Sequence, residues 1–258
     1  MTEIAARVDR LSKRFLVFRA RSTALRALRA ALRGDSLKRE HWVLRDITFE
    51  IDRGEKLALL GKNGSGKTTL LRILTGIYRQ TSGTLVMRGT PRALLSCEAG
   101  FVRELPVVDN LYLFGAIHGI GRRVLEPRER AVLEAAGLEQ LAYAPLRELS
   151  TGQVRRLALS VFSYVASDFV VFDEVLANVD RGFVRQSELF RSLAAADKTV
   201  VMTSHDASFL REYCRTALWL EGGRIRALGP IDEVIDDYER SFDPAEEPLP
   251  PPTVAGRR

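Results

Sequence analysis

The chain has 258 residues, 46% of them hydrophobic, enough to bury a sizeable core as one large domain or a domain with a subdomain. Two cysteines, Cys97 and Cys214, exclude a disulfide framework, and no apolar run approaches the roughly 18 residues of a membrane span. The net charge of +6 is local: residues 11–45 carry ten Lys/Arg against Asp35 and Glu40, so the rest of the chain stands at −2, which argues against a nucleic-acid-binding fold.

In chain order, Val8, Leu11 and the run 15–18 predict a first strand. Within a basic insert at about 19–41, residues 22–33 read as an amphipathic helix. Leu25, Leu28 and Leu32 share one face, Ser22 or Thr23 caps its start, and Gly34 stands at its stop. Alternation of Ile47, Phe49 and Ile51 predicts a second strand over 43–51, closed by a turn at Asp52, Arg53 and Gly54.

The apolar run 57–60 then leads into Gly61, Lys62, Asn63, Gly64, Ser65, Gly66, Lys67, Thr68 and Thr69, followed by a helical pattern at Leu70, Leu71, Ile73 and Leu74. This fits the phosphate-binding pattern G-x-x-x-x-G-K-[ST] between a strand and a helix. Glycines at 61, 64 and 66 let successive N–H groups point inward, and the helix start adds a partial positive charge. Lys67 then reaches the β- and γ-phosphates, and the Thr68 hydroxyl is a ligand for Mg²⁺.

A strand is expected at 84–87, and from about 105 to 161 the pattern is helical, read as a helical subdomain inserted into the nucleotide core. Near its end, Ser150, Thr151, Gly152 and Gln153 open a helix; Ser150 and Gly152 suit capping and close approach of a phosphate. The run 169–172 is a short, fully apolar strand of the buried parallel kind, ending on Asp173 and Glu174. An acid there is placed to hold Mg²⁺ beside the phosphate loop, and the next acid to deprotonate an attacking water. By itself the pair reads more readily as two acids in a solvated loop.

A helix over about 181–196 precedes a strand at 199–203, after which His205 is placed to point at a γ-phosphate, though a lone histidine is more often packing or surface. Residues 217–220, Gly222, Gly223 and 224–228 predict a hairpin. The Pro-rich tail 243–258 is expected to be disordered, and the first residues lack the order of a secretory signal, which suits the cytosol.

Taken together, the motifs over roughly 5–240 resemble those of ATP-binding cassette (ABC) subunits. The resemblance implies an α/β P-loop NTPase core of the ABC ATPase type, with the helical subdomain at 105–161 and an antiparallel β edge, in a nucleotide-binding domain spanning 1–242. It makes 61–68 the phosphate loop and 149–153 the signature. Asp173 becomes the Mg²⁺ acid, Glu174 the catalytic base, Asp180 the aspartate of the loop between protomers, and His205 the switch histidine. ATP, Mg²⁺ and a head-to-tail homodimer follow from it. The adenine-stacking aromatic is Phe15 in preference to Trp42. Thr151 departs from the usual glycine, and Ser96, Cys97 and Glu98 stand where a lid glutamine is usual, with no glutamine between Gln80 and Gln140.

Residues 99–105, 109–117, 41–46 and 173–180 are similar to the ATPase subunits of polysaccharide exporters. That implies transport of lipid-linked O-antigen, capsule or teichoic acid, with a membrane-spanning permease as partner and a peripheral position on the cytoplasmic side of the inner membrane. Residues 19–39 would then meet anionic lipid or the carrier's lipid diphosphate; the plain alternative is a solvated helix. Rival readings are an exporter of drug or lipid and a soluble regulatory cassette. No nucleic-acid partner is expected.

Overall fold

Strands with no polar position, such as 57–60 and 169–172, are stable only where both faces are covered. The computed structural model describes residues 3–18, 38–175, 182–183, 187–194 and 198–242 and supplies that cover. Its elements run β1 (Ile4–Phe18), β2 (Lys38–Asp52), β3 (Lys56–Leu60), α1 (Lys67–Leu74), β4 (Ser82–Met87) and β5 (Arg92–Leu94). Four helices follow: α2 (Val107–Ile117), α3 (Arg122–Leu125), α4 (Glu129–Ala136) and α5 (Thr151–Phe162). The chain continues through β6 (Phe169–Asp173), α6 (Glu188–Ala194), β7 (Thr199–Thr203), α7 (Ala207–Tyr213), β8 (Thr216–Glu221), β9 (Arg224–Pro230) and α8 (Ile231–Arg240). Among the described residues, no helix is long and apolar enough to cross a membrane.

Two sheets form. One is antiparallel, in the order β2-β1-β4; the other runs β5-β6-β7-β3-β8-β9 and is parallel except for β9. Side chains alternate along the buried strands. Leu57, Leu59, Phe169, Val171 and Val201 pack with Leu11, Ile47, Leu70 and Leu71 on the face toward α1 and the antiparallel sheet. Ala58, Leu60, Val170, Phe172 and Met202 pack with Phe114, Leu157 and Phe162 on the helical face. At about 25 cal/mol per Å² of apolar area, the two-sided burial is the main favourable contribution to this layered core.

Register then delivers the chemistry to one edge. Asp173 pairs with Thr203 and Ala58 with Met202, so β3, β6 and β7 end side by side. The chain leaves these ends as the Gly61 turn, as Glu174 and as Ser204–His205, the carboxyl edge where open parallel sheets hold ligands. The helices α2 to α5 lie in sequence between β5 and β6, which are neighbours in the sheet. The three-residue β5 and the helices α7 and α8 add to the elements expected from the sequence. The proposed basic helix at 22–33, Asp180 and the tail 243–258 lie outside the described residues.

Candidate nucleotide site

The phosphate loop is shaped by two glycines with no room for a side chain. A Cβ on Gly61 would stand 2.4 Å from the Leu220 carbonyl oxygen, and one on Gly66 2.7 Å from Leu44 Cδ2; Gly66 also has φ +109°. Gly66 caps α1 without a side-chain acceptor, so the first N–H groups of that helix stay available to an anion.

Lys67 is only 9% exposed. Its Nζ donates to the carbonyls of Gly61 at 2.6 Å and Lys62 at 3.3 Å. Burial pulls its pKa below the ordinary lysine value, and the charges of Glu174 and Asp173 oppose that shift. The ammonium is thus held by neutral acceptors that an anionic phosphate oxygen can replace.

Both oxygens of Asp173 accept hydroxyl protons, from Thr68 Oγ1 at 2.7 Å and from Thr203 Oγ1 at 2.9 Å. The same Thr203 oxygen accepts the Glu174 backbone N–H at 2.8 Å. Glu174 has φ +53°, a left-handed conformation that a non-glycine residue adopts only at a cost of about 1–3 kcal/mol. That turn sets its carboxylate beside His205, whose Nε2 lies 3.0 Å from Glu174 Oε1.

These groups share one opening. A cavity of about 480 Å³ is lined by Asn63, Gly64, Gly66, Lys67, Thr68, Thr69, Asp173 and Glu174, with His41, Val43 and Leu95 completing its wall. A smaller cavity of about 180 Å³ joins Gly61, Lys67, Glu174, His205 and Tyr238. A further cavity, about 550 Å³, lies at the start of β6 and β7, where Glu3 bridges Arg53 and Arg88.

Several sequence-derived candidates stand elsewhere. The Phe15 ring does not line the 480 Å³ cavity; it packs edge-on against Tyr78 at 5.6 Å with Lys13 Nζ over it. Trp42 carries the Arg14 guanidinium at 5.5 Å. Ser150 and Gln153 form a reciprocal cap at the start of α5: the Gln153 N–H donates to Ser150 Oγ at 3.3 Å, and the Ser150 N–H to Gln153 Oε1 at 2.9 Å. Neither residue, nor Gly152, lines the Lys67 cavity. In the lid segment, Leu95 reaches the cavity while the buried Cys97 thiol donates to the Val175 carbonyl at 3.6 Å.

Sequence reasoning missed the role of Thr203. The available signal was strand length: 169–173 and 199–203 are both five-residue strands with apolar centres, and in-register parallel pairing sets Thr203 opposite Asp173.

With this geometry in view, the family described as ABC transporter matches residues 44–177. An O-antigen export system ATP-binding protein from Myxococcus xanthus is 34% identical over 204 residues, covering 79% of this chain and 47% of that protein. Its counterpart from Klebsiella pneumoniae is 30% identical over 205 residues, covering 79% of this chain and 83% of that protein. A teichoic acids export ATP-binding protein from Bacillus anthracis is 29% identical, covering 77% of this chain and 36% of the relative. The chain thus spans about half or less of the Myxococcus and Bacillus relatives. A solved ATP-binding subunit of an ABC transporter superposes with a TM-score of 0.66 at 20% identity, covering 91% of this chain and 93% of that one. A Clostridium perfringens ABC transporter subunit reaches 0.65 at 21%, over 92% and 93%. These two structures speak to the fold alone.

Proposed function

Since the chain belongs to the ABC transporter ATP-binding family, we propose that it is the ATP-hydrolysing subunit of an exporter that moves lipid-linked polysaccharide across the cytoplasmic membrane. The observation that carries the chemical part is the pair of acids at the end of β6, one tied to the phosphate loop through Thr68 and the other to His205. The cargo rests on the relatives, which are named for O-antigen and teichoic acid export.

In this reading the triphosphate enters the cavity over α1, and Lys67 exchanges two carbonyl acceptors for phosphate oxygens. Thr68 and Asp173 offer a hydroxyl and a carboxylate 2.7 Å apart, a hard-oxygen donor set that fits Mg²⁺. When bound, Mg²⁺ supplies neutralisation of charge on the β- and γ-phosphates. Thr203 fixes Asp173 and the Glu174 backbone together, so the Glu174 carboxylate is held where it takes a proton from water. His205, whose Nε2 lies 3.0 Å from that carboxylate, orients it and can reach the outermost phosphate.

The start of α5 is capped but lies off this chain's own nucleotide cavity. That supports a head-to-tail homodimer in which the α5 start of one protomer meets the nucleotide held by the other. The permease would contact the turn before α2, where Val102 and Leu105 are exposed. Residues 19–39 would lie toward anionic lipid or the carrier diphosphate. Residues 1–242 then act as the nucleotide-binding domain, with 105–161 as its helical subdomain.

The test is ATP-driven polymer uptake into inverted membrane vesicles in which this chain is co-expressed with a candidate membrane-spanning permease. Uptake that requires ATP and disappears in Lys67→Ala, with nucleotide binding lost by titration, is the expected result. ATP hydrolysis without polymer movement would transfer the reading to another cargo.

A further inference from the structure

The phosphate loop is delivered by β3 but braced from outside by the helix that closes the described chain. Lys62 is the second residue of the loop, and its carbonyl is the hub of the first turn, accepting the Ser65 N–H at 3.1 Å and Lys67 Nζ at 3.3 Å. Its side chain lines neither nucleotide cavity. Instead its ammonium sits 4.6 Å from the centroid of the Phe242 ring, two residues beyond α8.

Phe242 belongs to a chain of rings. It meets Tyr238 edge-on at 4.9 Å, and Tyr238 meets Trp219 edge-on at 5.4 Å. Trp219 lies on β8 directly opposite Leu60, the residue before Gly61. The circuit therefore closes: from Leu60 across to Trp219, out through Tyr238 and Phe242, and back to Lys62. The backbone of Leu220, next to Trp219, also sits where a Cβ on Gly61 would fall. Tyr238 itself lines the 180 Å³ cavity with Lys67, Glu174 and His205.

We propose that the edge-on Trp219–Tyr238–Phe242 ring chain is a positioning device that pre-orders the first turn of the phosphate loop by holding the Lys62 ammonium against the Phe242 ring. The inference rests on the reading of this site as an ATP site. Its physical basis is preorganisation: a loop held in its binding shape spends less ordering entropy when the ligand arrives. Cation–π contacts prefer aromatic rings because the attraction comes from the ring quadrupole. An aliphatic side chain of similar size does not replace it.

The experiment uses the full chain and measures the dissociation constant of ATP with Mg²⁺ by titration. Phe242 is 51% exposed, so its replacement leaves the core intact. Phe242→Leu and Lys62→Gln should each weaken binding about two- to five-fold, as expected for an exposed cation–π contact. Phe242→Tyr and Phe242→Trp should keep parental affinity. The double variant Lys62→Gln/Phe242→Leu should be no weaker than either single one, because both remove one contact. The hydrolysis rate at saturating ATP should stay at the parental level in Phe242→Leu, separating loop ordering from the chemical step.

Parental affinity in Phe242→Leu, or additive losses in the double variant, would overturn the brace while leaving the ATP site standing. Absence of ATP binding by the parent chain would instead remove the site itself. If Phe242→Leu fails to fold, the Lys62→Gln and Phe242→Trp pair decides the matter from the two sides of the contact.

Discussion

Thr203 carries more of the site than its chemistry advertises. It is 1% exposed, accepts from the Glu174 N–H and donates to Asp173, so one hydroxyl sets the relation between the two acids. Thr203→Val keeps the branched shape and strands a half-buried N–H and a carboxylate oxygen, at up to about 1–3 kcal/mol for each group left unpaired. We expect hydrolysis to fall at least about ten-fold while ATP still binds, and Thr203→Ser to restore it. Titration and turnover on the same preparations check this; a Val variant with parental turnover would make Thr203 a packing residue. The two cysteines give a second residue-level expectation. Burial pushes both thiols up to about 12, from an ordinary value near 9. Their folded pKa is raised, so the stability they contribute is complete below the unfolded value and is lost as pH climbs from 9 toward 12. Each would add a slope of up to about 1.4 kcal/mol per pH unit. Urea midpoints of the parent should therefore drop more steeply between pH 8 and 10.5 than those of Cys97→Ala/Cys214→Ala. Identical slopes would show that the thiols ionise alike in both states.

At the scale of elements, Asn110 is the pin of the segment between the lid and α2. It is fully buried; its Oδ1 accepts the Val102 N–H at 2.7 Å, and its Nδ2 lies 2.9–3.0 Å from the carbonyl oxygens of Val102, Leu105 and Pro106. Asn110→Leu removes a whole set of partners from buried backbone groups and should cost at least ~2 kcal/mol in a urea titration. Asn110→Asp, which sets a carboxylate against three carbonyl oxygens in a buried site, should cost at least as much, and a neutral Leu variant would contradict this. A helical stretch from about 105, where α2 lies, was legible in the sequence; this pin was not, because a buried asparagine looks like any other until its loop folds over it. The phosphate loop, Asp173, Glu174 and His205 were legible because each is a distinctive residue type at a strand end. β5 escaped, being three residues, Arg92, Ala93 and Leu94, without alternation. Helix α8 did have a signal, Ile231, Val234, Ile235 and Tyr238 at helical spacing, but its acids Asp232, Glu233, Asp236 and Asp237 resemble a solvated stretch.

At the scale of the molecule, the layered arrangement of two sheets and a helical face brings three strand ends together and leaves the start of α5 apart from them. A sequence shows motifs in order but not which of them share a cavity: Lys67, Asp173 and Glu174 do, while Ser150, Gly152 and Gln153 do not. The aromatic preference at Phe15 shows the same limit. The basic insert separates Phe15 from Trp42 in sequence, while pairing with β2 puts His41 opposite Phe15, and His41 lines the cavity. Glu174, with its left-handed backbone and His205 beside its carboxylate, is proposed as the base of the ATPase. Glu174→Gln tests it most directly, measured as ATP turnover beside ATP binding on the full chain. The account predicts turnover lower by about 10²–10⁴-fold with binding retained and a longer-lived closed dimer. Parental turnover in that variant would contradict it and return Glu174 to the status of a loop acid.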